Sequence, residues 1–593
     1  MSASELQPTP TNHTLAFRAA DFATLTEALD YAAQGETGAN FYTGRGGLYT
    51  ALPYRELRLQ SMELAKKLLG LDLEAGSRVA LVAETTPEFL KFFYACQYAG
   101  LIPVALPASI KVGAHQAYVA QLQRLLEASD AAVGVASDGY LSFLQEASEG
   151  LAMRMVDTAE SFHALPASGQ ALPTVNPSDI SYIQYTSGST RFPRGVVIKH
   201  ETAMANLQGI IGPGLEMNGD DRMMSWLPFY HDMGLVGFML VPMAAQVSID
   251  YLDTREFAMR PRQWLELMTK SRATISFAPS FGYDLCARRV RPADVDNYDL
   301  SNWRVAGIGA EMIRPETLDY FADMMEPCGF DRRAFLACYG MAECTLGISF
   351  SPLWTGFTTH HIDSDHLSDH HRAVLLDESD KRGRGRHFVN CGTPLPGFEV
   401  QIRDGEETVL DDWHSGVIYL RGPSVMSGYF NLPEESSHAL DEDGWLNTGD
   451  IGYQVDGVLT ITGRKKDLII IHGRNIWPQD LEHIAEAEPE VRSGDAVAFS
   501  IPDHEGEEMC VLLVQCRETD PKKRNNLVRR LSALMRLEMS LDCFVELVPP
   551  RSLPKTSSGK LSRAKARLDF IATHEDDNLN AVTEEFRLRV ASA

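Results

Sequence analysis

Across 78–107 the spacing of apolar and polar residues changes period twice. Residues 79–82 form a short apolar run suited to a strand, the stretch after Thr86 places apolar side chains at helical intervals, and 102–106 is a second strand-like run. Strand, helix and strand in that order predict a βαβ unit with parallel strands. A helix over 115–128 and an apolar run over 131–135 continue the pattern, so the N-terminal half is predicted to be a layered α/β structure. Near the other end, 496–499, 509–514 and 544–548 read as strands, and a helix runs from Lys523 to about Met539 with Pro521 as its initiator. This predicts a small α+β domain. Between the halves, 380–386 (DKRGRGR) is polar, basic and Gly-rich, which predicts a linker or mobile loop.

At 593 residues and 44% apolar content the chain is too long for one core and rich enough to fold as at least two domains. Its 80 acidic against 54 basic residues give a net charge of −26, which argues against nucleic-acid or anionic-membrane binding and requires a local positive site for any nucleotide. No basic start followed by an unbroken apolar run opens the sequence, so no secretory or transit signal is expected. The most apolar later stretch, 237–252, is interrupted by Pro242, Gln246, Ser248 and Asp250 and is too short to span a bilayer. Nine cysteines without a CxxC pair fit reduced thiols in the cytoplasm.

Against this background, five short motifs carry candidate chemistry. The strand 180–185 runs into Thr186, Ser187, Gly188, Ser189 and Thr190, a loop able to offer N–H groups and hydroxyls to phosphate oxygens, and returns through a second strand from Gly195. A Walker loop would need GxxxxGK[ST] opening a helix, so that reading fails. By itself the loop is also an ordinary Ser/Thr/Gly turn. In 339–343 (YGMAE) an aromatic precedes a carboxylate by four residues, which suits a base-stacking ring and a Mg²⁺ ligand, or equally a buried aromatic and a capping glutamate. The segments 448–450 (TGD) and 463–467 (GRKKD) add Asp450, able to accept from ribose hydroxyls, and Arg464, able to face phosphate. Finally, 554–560 (PKTSSGK) ends in Lys560, which taken alone is an ordinary surface lysine.

In this order and at these separations the motifs resemble the adenylate-forming (ANL, acyl-CoA synthetase-like) superfamily, and within it the fatty acyl-AMP ligases. Three further stretches carry the narrower resemblance: 226–237 (WLPFYHDMGLVG), the region 260–290 ending in APSFGYDLCARRV, and 299–313 (DLSNWRVAGIGAEMI). The resemblance implies a large α/β N-terminal domain over 1–465, built of βαβ layers plus a small β-barrel-like part, and a small mobile α+β domain over 466–593 that carries a catalytic lysine. Where the superfamily commonly has glycine and lysine after the phosphate loop, this chain has Arg191 and Arg194; the acyl-AMP ligases often carry the first arginine, and the role of Arg194 is open, because arginine meets phosphate as a planar fork and lysine as a point charge. The piece 346–391, without clear apolar periodicity and holding His360, His361, His366, His370 and His371, resembles the insertion that sets acyl-AMP ligases apart and is expected to be solvated. His366 and His370 have metal-ligand spacing if helical, but no HExxH or cysteine accompanies them.

Carried over residue by residue, the resemblance assigns Thr186 to Thr190 to the β- and γ-phosphates and Glu343 to Mg²⁺. Tyr339, Gly340, Met341 and Ala342, with Gly309, Ala310 and Glu311, would line the adenine, while Asp450 would hold the ribose and Arg464 would lie near ribose or phosphate. Lys560 would bridge the acyl carboxylate and the α-phosphate, and Lys466 would be the interdomain hinge. His231 would lie near the carboxylate, without forming a dyad with Asp232, since neighbours on an extended chain face opposite ways. Trp226, Phe229, Met233, Phe277 and Phe281 would wall the acyl pocket, although such residues are more often plain core.

The implied activity uses ATP and Mg²⁺ to convert a fatty acid to its acyl-AMP, which is passed to a holo acyl carrier protein. Too little chain follows Lys560 to build a carrier with its own core, so the carrier is expected to be a separate chain. An acyl-CoA ligase and a catalytically silent nucleotide- or lipid-binding module are the competing readings; acceptor assays separate the first, and ATP binding without adenylate formation would mark the second. Lys560→Ala is expected to lower acid-dependent exchange of pyrophosphate into ATP by about two orders of magnitude or more, as befits a cation placed where negative charges converge. Near-normal exchange would overturn that assignment.

Overall fold

The computed structural model describes residues 6–12, 14–108, 115–186, 194–377, 385–471, 474–492, 494–502, 508–556 and 561–574. Ser187, Gly188, Ser189, Thr190, Arg191 and Lys560 lie outside the described residues.

The βαβ reading holds closely. Strand Arg78–Val82 leads to helix Pro87–Ala99 and strand Ile102–Leu106, and helix His115–Ser129 precedes strand Ala131–Ala136. These strands belong to a six-stranded sheet in which Met155–Thr158, Ala131–Ala136, Arg78–Val82, Ile102–Leu106 and Ile180–Tyr185 are parallel neighbours in that order, and Gly195–Lys199 closes the edge antiparallel. A second sheet has nine strands, with Gly38–Tyr42, Ser248–Leu252, Arg222–Ser225, Ile275–Ala278, Val305–Ile308 and Phe335–Gly340 as its parallel interior. Helix Pro87–Ala99 is apolar on nearly every face because it lies between the two sheets. Phe89 stacks on Phe229 and Phe93 packs on Tyr182, so one helix ties both sheets into a single core.

A third sheet of four antiparallel strands (Glu399–Arg403, Gly416–Arg421, Leu446–Val455, Val458–Arg464) completes the larger part. From Ile469 onward the buried side chains form clusters of their own. There Ala496–Pro502, Glu508–Gln515 and Cys543–Val548 make a three-stranded sheet, and helix Pro521–Met539 crosses between the last two, which are parallel. Pro521 stands at the first turn of that helix, where a missing N–H costs nothing.

The solvated-insertion reading of 346–391 needs correction. Gly347–Phe350 is a buried strand of the nine-stranded sheet, and Thr359–Asp363 pairs with Gly385–Val389. Ile362, Leu367 and Phe388 bury against Tyr453 of the four-stranded sheet. Strands this short leave too few residues for a period to show. Arg386, read from sequence as part of a loop, lies at the start of Gly385–Val389 and is largely buried against Asp480. No helix among the described residues is long and apolar enough to cross a membrane.

Candidate active site

The carboxyl ends of four parallel strands open onto one cavity of about 2260 Å³, the place where α/β sheets gather their ligands. Thr186 follows Ile180–Tyr185, Phe281 follows Ile275–Ala278, Ala310 and Glu311 follow Val305–Ile308, and Met341 to Glu343 follow Phe335–Gly340, all on its wall. Gly309 sits just behind, where a Cβ would come within 2.8 Å of Cys338 Sγ. The neighbouring strand therefore allows no side chain there.

Two acids dominate the polar end. Strand register sets Asp450 opposite Arg464, and Arg464 Nε lies 3.0 Å from Asp450 Oδ1. Tyr339 Oη donates to Asp450 Oδ2 at 2.7 Å. The Asp450 charge raises the Arg464 pKa, and burial, reinforced by the same acid, pushes that of Tyr339 well above its ordinary value. Glu343 Oε1 accepts from Tyr429 Oη at 2.9 Å. Burial raises the Glu343 pKa; the Tyr429 hydroxyl and the Arg464 charge oppose that rise, and Asp232 adds to it.

Lys466, in the single turn Lys465–Asp467, lines the same cavity, and burial with the adjacent Arg464 lowers its pKa. Across the cavity, Arg314 Nη1 meets Glu486 Oε2 at 2.6 Å and Arg386 Nη1 meets Asp480 Oδ1 at 2.6 Å, so two ion pairs seat the chain beyond residue 469 on the larger part.

His231 and Asp232 depart from the extended-chain argument. His231 caps the short helix Asp232–Leu235, and the turn brings its Nδ1 to 2.7 Å from Asp232 Oδ1. Both side chains accept from the Met233 N–H.

The apolar end divides the expected pocket residues. Met233, Phe277 and Phe281 line the cavity, whereas Trp226 and Phe229 are core. Trp226 lies flat on Phe257 with centroids 3.7 Å apart, and Phe229 is stacked on Phe89, so neither ring is left to face the cavity. Ile210, Leu215, Met223, Phe238, Leu346 and Phe350 take their place. Two of these come from π-helical turns, Ile210–Gly214 and Val236–Leu240, a geometry that sequence periodicity does not signal. A Cβ on Gly237 would stand 3.2 Å from Leu346 Cδ2, while one on Gly307 would strike the Phe277 ring at 2.2 Å.

His366 and His370 have ring centroids 4.6 Å apart, but among the described residues no three His, Cys, Asp or Glu gather as a metal cluster.

Residues 29–430 match the model of the AMP-binding enzyme family, over more than half of the chain. The chain belongs to the AMP-binding enzyme family. A relative from Caulobacter vibrioides that bears an acyl-CoA synthetase name is 44% identical to this AMP-binding enzyme, over 96% of this chain and 99% of its own. The medium-chain-fatty-acid acyl-carrier-protein ligase JamA of Moorena producens is 30% identical, over 93% of this chain and 95% of its own. A structure solved in work on fatty acyl-adenylate ligases from E. coli and L. pneumophila superimposes with a TM-score of 0.90 at 46% identity, covering 94% of this chain and 99% of that one. The AMP-binding enzyme thus has the adenylate-forming architecture throughout, with a large mixed α/β part and a smaller C-terminal part.

An acid whose pKa is raised by folding destabilises the fold once pH exceeds its unfolded value, near 4.5 for Glu343, and the cost grows until the folded form has also ionised. Glu343→Gln keeps an oxygen for Tyr429 and removes the charge. It is expected to melt higher than the wild-type protein at pH 7, with the difference shrinking as pH falls toward 4, as read by thermal unfolding at both pH values.

Proposed function

We propose that this enzyme activates a fatty acid with ATP as its acyl-adenylate and transfers the acyl group to the phosphopantetheine thiol of a separate acyl carrier protein. The observation that carries the reading is the one cavity lined both by Phe238, Phe277 and Phe350, an apolar end read here as the acyl tunnel, and by the polar cluster of Glu343, Asp450, Arg464 and Lys466. A chain with a carboxylate head fits both ends. The fatty-acid names of JamA and of the adenylate ligases that superimpose so closely support the same substrate class.

In this reading a fatty-acid carboxylate oxygen attacks the α-phosphorus of ATP, a P–O bond forms, and the bond to the bridging oxygen breaks to release pyrophosphate. The carrier thiolate then attacks the acyl carbonyl and AMP leaves. Both steps need alignment and charge neutralisation rather than a protein nucleophile. Tyr339, with Gly340 to Ala342 and Gly309 to Glu311, lines the adenine; Asp450 holds the ribose, and Arg464 stands beside it. Thr186 and the loop up to Thr190 take the phosphates, and Lys560 steadies the approach of carboxylate to phosphate. His231 serves the carboxylate end of the tunnel.

The donor set at Glu343 fits Mg²⁺, which keeps water and substrate phosphates as most of its ligands and asks the protein for one or two carboxylates. When bound it would neutralise phosphate charge. The proposed boundary between the domains falls at residues 465 and 466, which makes Lys466 the first residue of the small domain and its hinge. Nine free thiols support a reducing, cytoplasmic setting.

One observation favours a second reading, the acyl-CoA ligase: the Caulobacter relative carries that name. A mass-spectrometric screen of fatty acids with ATP, offering coenzyme A and holo carrier proteins in parallel, separates the two. Acyl-AMP with transfer to a carrier is the expected result, and robust acyl-CoA formation would overturn the carrier reading. The same screen tests the tunnel. Gly237→Leu is expected to lower kcat/KM for the longest accepted acid by about ten-fold or more, since steric loss in an apolar pocket is of that order per misplaced methylene, and to spare short acids. Equal losses at every length would remove Gly237 from the tunnel wall.

A further inference from the structure

Residues 424–430 form a strap between the two large sheets. On one side the strap continues the edge of the six-stranded sheet. Val197 N donates to Gly428 O at 3.1 Å, Phe430 N donates to Gly195 O at 2.7 Å, and Tyr429 bridges Val196. On the other side it grips the turn that bears Glu343. Met426 N donates to Glu343 O at 2.8 Å, and Thr345 Oγ1 donates to Ser424 O at 3.1 Å. Gly428 takes φ of +137°, a conformation open to glycine, in making the crossing.

The side chains repeat this backbone connection. Arg194, the residue at which the phosphate loop rejoins the sheet, accepts at its carbonyl from Thr186 N at 3.1 Å and so pins the two ends of the loop together. Its guanidinium carbon lies 5.3 Å from the centroid of the Tyr429 ring, within cation–π range. The Tyr429 hydroxyl in turn donates to Glu343 Oε1 at 2.9 Å. Tyr429 is buried, and its hydroxyl is turned to the Glu343 carboxylate. A carboxylate has lone pairs for about four partners, and one hydrogen bond leaves most of them for a cation.

We propose that Arg194 and Tyr429 are positioning residues that couple the end of the phosphate loop to Glu343: the guanidinium holds the Tyr429 ring, and its hydroxyl fixes one carboxylate oxygen in the attitude that receives a metal-bound triphosphate. This rests on the assignment of Glu343 to the metal–nucleotide in the proposed function. Arginine suits this work, because a guanidinium can meet a ring through its flat face whereas an ammonium meets it as a point charge. The arginine acts here through an aromatic ring rather than by direct contact with phosphate.

The test is equilibrium binding of a fluorescent ATP analogue to the full-length protein, with excess Mg²⁺ and separately in EDTA. Tyr429→Phe keeps the ring near Arg194 but deletes the hydroxyl. It is expected to weaken binding about ten-fold with Mg²⁺, the scale found when a residue orienting a metal ligand is lost, and to leave binding in EDTA unchanged. Arg194→Ala is expected to show the same selectivity, and the double variant to be no weaker than the worse single one, since residues acting in series are not additive. Equal losses with and without Mg²⁺ for Arg194→Ala would mean direct phosphate contact and overturn the coupling. So would additive losses in the double variant, or a Tyr429→Phe protein that binds like wild type. If Arg194→Ala does not fold, Tyr429→Phe alone decides the hydroxyl's part. Wild-type binding that ignores Mg²⁺ would instead reject the Glu343 assignment, and a wild-type protein that binds the nucleotide with Mg²⁺ but forms no acyl-AMP would reject the proposed activity while leaving the coupling standing.

Discussion

An acidic protein that receives a triphosphate depends first on how the carboxylates inside its cleft are held. Asp450 and Glu343 are both answered by partners from other parts of the chain. Asp450 is met by Arg464 across a strand pair and by Tyr339 from the nine-stranded sheet, and Glu343 by Tyr429 from the strap. In a low-dielectric cavity an unanswered carboxylate would protonate or repel the substrate, so these pairings come before any chemistry. Lys466 and Arg464 are among the cations that give this cleft positive charge in a chain of net −26.

The pairings are made by fold, not by proximity in sequence. The parallel strands run the same way within each sheet, and the segments after residues 185, 278, 308 and 340 reach one cavity. Helix Pro87–Ala99 locks the two sheets at a fixed separation, and the strap at 424–430 spans them at the rim. Beyond Ile469 a separate core is seated by Arg314–Glu486 and Arg386–Asp480, pairs whose members lie about a hundred residues or more apart.

That distance marks what the sequence could disclose. Strong local periods made the βαβ units and the C-terminal strands and helix legible almost to the residue, and the order of the short motifs singled out Glu343, Asp450 and Arg464, which share one cavity. Apolar identity did not reveal direction: Trp226 and Phe229 looked like pocket walls, but aromatic stacking on Phe257 and Phe89 claims them for the core. A helix cap, invisible as a period, overturned the argument that kept His231 and Asp232 apart. Tyr429 carried no motif signal, because its importance arises from a bridge to Val196 more than two hundred residues earlier.

Two glycines near the apolar end of the cavity, Gly237 on its wall and Gly307 behind Phe277, have opposite histories open to them. At Gly307 the Phe277 ring occupies the space where any side chain would begin, so drift at that position is closed unless Phe277 changes first. Gly237 meets only the end of the Leu346 side chain, on a π-turn that already departs from regular helix. Selection for a different acid would therefore find the Phe277 side of the cavity backed by a position frozen by epistasis and the Gly237 side adjustable in single steps.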